Sequence, residues 1–203
     1  MKGNKLSLLF FLIFMGFVPL SCDLFCLDDC SCGRVPKVRD FRIEKFDAQV
    51  INLVQDFDHT QAYAYKEVAI VIAIEETAMI GYLNAKTNFG LIPSALACSP
   101  ISPVSIDYVK DLKVLANTVV DWNGKAYQAG TDLSFLFGVI MGGGNLLPLD
   151  EFLNLRFDFF ENDQIRLQLL TAPHYSVEFD LGLVLTLSDD RRFSFEGLRL
   201  KVF

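Results

Sequence analysis

The chain has 203 residues, 52% of them apolar, and a formal net charge of −7. That length suits a single domain of ordinary size with a core of its own. No block of lysine or arginine is present, which argues against nucleic acid as a partner and against charge-driven adhesion to anionic lipid.

Residues 1–21 read MKGNKLSLLFFLIFMGFVPLS. Lys2 and Lys5 form a positive start, Leu6 to Val18 a nearly unbroken apolar run, and Pro19-Leu20-Ser21 closes it. This is the layout of a secretory signal peptide, whose apolar stretch is short for a membrane span. Pro19-Leu20-Ser21-Cys22 resembles the lipobox of bacterial lipoproteins, in the relaxed form ending in Ser-Cys that is common in Bacteroidetes. The resemblance implies cleavage between Ser21 and Cys22, a diacylglycerol thioether on the Cys22 sulfur and an acylated new N-terminus. Several acyl chains give lasting attachment where one is marginal. The leader holds two positive charges and no acid, so its loss moves the net charge from −7 to −9.

Residues 22–38 read as an acidic, cysteine-dense tether, and residues 39–203 as the folded domain. With Cys22 given to lipid, Cys26, Cys30, Cys32 and Cys98 remain. An even number in an exported chain favours disulfides. Cys30 and Cys32, two apart on an extended chain, share a face with Cα atoms about 7 Å apart, too far for an unstrained bond, so the preferred scheme joins one to Cys98 and the other to Cys26. A bond from Cys32 to Cys98 closes a loop of about 65 residues and is worth roughly 4 kcal/mol in the chain-entropy model. Spacing alone leaves all three pairings open. C-x3-C-x-C is not the C-x2-C knuckle of structural zinc, and Asp28 and Asp29 beside Cys30 oppose a reactive thiolate. No metal and no cofactor is expected.

Asp40 to Val54 alternates imperfectly and predicts a strand, which the polar loop Asp56-Phe57-Asp58-His59-Thr60 ends. Val68 to Ile74 is a continuous Val/Ile-rich run, short enough for a buried strand. Asn88 to Pro103 reads as a loop from its glycine and three prolines. Ile106 to Ala116 predicts another strand, and Asp121-Trp122-Asn123-Gly124 a turn, because Asn-Gly tolerates positive φ. Thr131 or Asp132 is placed to cap a short helix over Leu133 to Phe137. Pro148 to Leu153 suggests a second helical turn with proline at its start.

From Val177 to Leu187, six apolar residues recur at period two, the mark of a half-buried strand. Ser188 to Arg191 turns the chain, and Phe193 to Val202 returns. Phe193 and Phe195 lie on one phase, and Leu198, Leu200 and Val202 on the other. Keeping both sets inward requires one extra residue, so a β-bulge is expected at Gly197. Seven to nine strands with few helices predict an all-β fold: an antiparallel β-sandwich of immunoglobulin-like architecture with one or two short helical turns.

Beyond the lipobox cysteine and the cysteine cluster, the chain carries Ser94-Ala95-Leu96-Ala97-Cys98-Ser99-Pro100. It also carries Ala129-Gly130-Thr131-Asp132-Leu133 before a Leu-Phe pair, and a C-terminal strand pair around Asp189-Asp190. In these features it is similar to small uncharacterised lipoproteins of Bacteroidetes, a family of domains of unknown function. The resemblance implies a scaffold and carries no catalytic residue.

Candidate chemistry is sparse. Asp56, Asp58 and His59 offer oxygen and nitrogen ligands on one loop. Trp122 and Tyr127, with Tyr63 and Tyr65, offer an aromatic platform for a sugar or peptide, and core packing explains these aromatics equally well. His174 has no serine elbow beside it in sequence. Gly142-Gly143-Gly144 lacks the Lys-Ser/Thr of a phosphate loop. The reading is a lipid-anchored, non-enzymatic binding or structural module of the cell envelope, on the outer membrane, with a glycan or protein as its ligand. The alternative is an envelope hydrolase of glycan or peptide, with its site in the loops around Asp56 to His59 and His174.

Overall fold

The computed structural model describes residues 40–80 and 103–203. The leader, the tether, Ser21, all five cysteines and most of the expected loop from Asn88 lie outside the described residues.

The chain folds as the expected all-β sandwich. In order it forms β1 (Phe41–Asn52), β2 (Val68–Met79), β3 (Val104–Ala116), the hairpin β4 (Val120–Trp122) and β5 (Lys125–Tyr127), then β6 (Phe137–Ile140) and β7 (Leu146–Pro148). A one-and-a-half-turn helix, α1 (Leu149–Asn154), precedes β8 (Asp158–Phe160), β9 (Gln164–Leu169), β10 (Val177–Leu187) and β11 (Arg192–Val202). Along the hydrogen-bonded ladder the strands run β11-β10-β3-β1-β2-β9-β6-β7, with β8 on β3. Paired strands run antiparallel except where β1 meets β3, through a single parallel bridge between Phe41 and Ser105. That thin seam divides the ladder into two layers, β1-β2-β9-β6-β7 and β11-β10-β3 with β8.

Aromatic side chains fill the space between the layers. Phe46 on β1 meets Phe193 on β11 at 5.1 Å and Phe159 on β8 at 6.0 Å, both edge to face. Phe137 on β6 meets Phe179 on β10 at 6.4 Å. β10 is the spine of this core. Its six alternating apolar residues are all buried, as their period requires, and each contributes on the order of 2 kcal/mol relative to exposure.

The parity shift on β11 has the expected cause. Leu181 pairs with Leu198 but Leu183 with Phe195, so β11 carries one residue more than β10 across that step. Gly197 supplies it with φ of 72°, and all five apolar side chains of β11 stay on the inner face. The Asn123-Gly124 turn has φ of 54° and 85°, the two positive angles of a tight hairpin, here joining Trp122 to Lys125. The helical turns also fall in the expected segments, the first with Leu133 rather than Thr131 or Asp132 at its N-cap. Ser134–Leu136 is one turn of 3-10 helix, with the Ser134 N–H donating to Asp132 Oδ1 at 2.9 Å. α1 begins directly after Pro148.

Candidate functional site

The polar residues singled out from sequence are held within their own loops. Asp58 Oδ1 accepts from the Thr60 N–H at 2.9 Å and the Thr60 hydroxyl at 2.8 Å, and Oδ2 accepts from Gln61 Nε2 at 3.1 Å. The two Thr60 bonds favour the ionised carboxyl and hold its pKa below the ordinary value. The Asp58 N–H donates to the Tyr63 hydroxyl at 2.8 Å, and Tyr63 is buried beside β11 through a bridge to Val202. His59 is exposed and packs edge-on against Phe57. Asp56 is exposed. These contacts make residues 56–63 a self-bonded loop closed by a tyrosine.

The expected aromatic platform is not assembled. Trp122 is only 7% exposed and packs against Phe179 in the core. Tyr63 is equally buried. The cause is the strand phase: residues 120 and 122 of the short β4 both face inward. Tyr127 is the exception. It lies half-buried at the surface, 5.7 Å from the exposed ring of Phe135, with Lys125 Nζ 4.8 Å above its own ring.

His174 is placed by a different element. Its N–H donates to Asn123 Oδ1 at 2.7 Å, and the neighbouring Tyr175 hydroxyl donates to Asp121 Oδ1 and accepts from the Gly124 N–H. The bond to Asp121 holds the Tyr175 phenol above its ordinary pKa. The His174 loop is thus tied to the β4–β5 hairpin, and the Asp58 loop to Tyr63. No hydrogen bond among the described residues joins the two loops.

The fold assembles a different set of groups into one groove. Between β3, the 3-10 turn and α1 lies an open cavity of about 370 Å³. Leu112, Phe137, Leu149 and Leu153 form its floor, and Phe135 stands on its wall. Asp111, Asp132 and Asp150 reach its rim from three separate elements, and Lys113 is the one cation among its lining residues. Lys113 Nζ is 3.9 Å from Asp111, and both are substantially exposed, so that pair is weak. In sequence Asp132 stands as a cap for one expected helical turn and Asp150 lies within the other. Nothing local in the sequence joins them to Asp111, because the groove is made by long-range pairing.

A second polar cluster lies at the seam between the layers. The Asp107 side chain is 3% exposed, and its Oδ2 sits 2.7 Å from Arg191 Nη2. The same oxygen accepts the Ile43 N–H at 3.2 Å, and Arg191 Nη1 donates to the Ile43 carbonyl. β1 is irregular at this point, shifting register between Ile43 and Phe46. The two side chains thus satisfy the edge of Ile43 that faces β3, where the two strands share only the Phe41–Ser105 bridge. This cluster stitches the fold together.

No protein-family model matches the chain, and no curated protein matches it either.

Proposed function

We propose that the protein is a lipid-anchored binding module of the cell envelope, similar to the uncharacterised Bacteroidetes lipoproteins and without catalytic activity of its own. The observation that carries the anchoring is Ser21-Cys22 at the end of a signal-peptide apolar run. The binding role is supported by the groove, which presents an apolar floor and charged rim on a rigid sandwich. A non-enzymatic role is consistent with Asp58 and His174, whose loops are bonded to different elements. The outer membrane is the proposed location, with the lipid as the membrane contact and a glycan or protein as the ligand.

Metabolic labelling with an alkyne fatty acid tests the anchor. The full chain expressed in a bacterial host should take up label, and Cys22→Ser should abolish it. A wild-type product that remains unlabelled while it is exported would overturn the anchoring.

A further inference from the structure

The geometry points to the groove between β3 and α1 as a docking site for an extended, basic-apolar peptide segment of a partner protein, one that sets lysine or arginine beside an aromatic or aliphatic side chain. This rests on the reading of the protein as a binding module and names the class of its ligand.

Three observations select that occupant. The floor is apolar: Leu112, Phe137 and Leu149 are almost fully buried beneath the surface, and Leu153 is partly open. A volume of about 370 Å³ suits one or two side chains rather than a folded surface. The rim is acidic, with three carboxylates against one lysine.

These carboxylates do not converge. Among the described residues no group of three or more His, Cys, Asp or Glu is arranged to hold a metal ion. Charges spread along a groove match positive groups spread along a chain better than one small ion. The wall also suits a cation. Phe135 is 57% exposed at the groove, and its neighbour Tyr127 already carries Lys125 over its ring. A second copy of this chain is disfavoured as the occupant by its own net charge of −7.

A displayed library of random decapeptides selected on the purified full chain tests the site. The expected result is enrichment of sequences that place Lys or Arg next to Phe, Leu or Ile. The variant Asp111→Asn/Asp132→Asn/Asp150→Asn should bind a selected peptide about tenfold more weakly, a loss shared among three exposed charges. Asn at 132 can still accept the Ser134 N–H. Lys113→Glu, which removes the competing cation, should bind the same peptide more tightly and keeps the test decisive if the triple variant fails to fold. Enrichment of neutral or acidic peptides, no enrichment, or affinities unmoved by both variants would overturn the site. So would binding confined to a glycan array. Fatty-acid labelling at Cys22 is independent of every arm, so anchoring and groove can fail separately.

Discussion

Asp107 on β3 and Arg191, just before β11, meet at 2.7 Å across the seam of the sandwich, and both also hold the backbone of Ile43 on β1. Three chain segments are fixed by one carboxylate and one guanidinium, at the point where β1 and β3 share a single bridge. Arg191→Met strands the buried Asp107 carboxylate and should cost about 3 kcal/mol. Asp107→Leu combined with Arg191→Met should cost much less than the sum of the single changes, since neither charge is then left alone. Urea unfolding of the four proteins measures the coupling. Strictly additive losses would mean the pair does not act as a unit.

Two glycines separate conformational cost from steric cost. At Gly197 an added Cβ meets nothing within 4 Å, but φ is 72°. Gly197→Ala should therefore cost about 1 kcal/mol, from backbone strain alone. At Gly138 the added Cβ would lie 2.7 Å from the Leu147 carbonyl oxygen on the paired strand β7 and 2.8 Å from Leu170 Cδ2. The backbone must move, so Gly138→Ala should cost more, about 2–3 kcal/mol. Denaturant midpoints for the two variants should rank in that order. A reversed ranking would contradict the close approach of β6 and β7.

These two glycines also show where sequence is legible. Gly197 announces itself, because the apolar phase of β11 flips around it and only a bulge reconciles the halves. Gly138 gives no such sign, since β6 and β7 are too short to establish a period. Asp107 was visible in principle. It shares the buried phase of Ser105 and Val109, and a carboxylate there demands a partner, but its partner is 84 residues away. The groove was the least legible feature, because Asp111, Asp132 and Asp150 come to line one cavity only after β3 and α1 have packed. Trp122 reads from sequence as platform or as core alike, because a three-residue strand cannot show which side of it faces the core.

Asp180 gives the fold a dependence on acid. Its carboxylate accepts Asn117 Nδ2 at 2.9 Å and Arg199 Nε at 3.0 Å. The Asn117 bond, aided by Arg199 and opposed by partial burial, holds its pKa below the ordinary 3.8. The unfolded chain therefore takes up the proton first. The stabilisation is fully present above about pH 4 and is lost as pH falls through the lower folded value. Asp180→Asn should cost under about 1 kcal/mol at pH 7. The gap to wild type should close below the folded pKa, as read from urea midpoints at pH 7, 4, 3 and 2. A gap that stays constant with pH would remove the carboxylate from this role.

Trp122 reports on the core because it is the only tryptophan in the chain. At 7% exposure, with its ring 5.9 Å from that of Phe179, the indole is shielded from water and from dissolved quenchers. Native emission should lie to the blue of free tryptophan, acrylamide should quench it weakly, and both should revert in urea. Phe179→Leu opens space beside the ring and should raise the native quenching constant while costing about 1–2 kcal/mol. A ligand in the β3–α1 groove should leave the quenching unchanged, because Trp122 does not line that cavity. Strong quenching of the native protein would instead return Trp122 to the surface, as its place beside an Asn-Gly turn suggests.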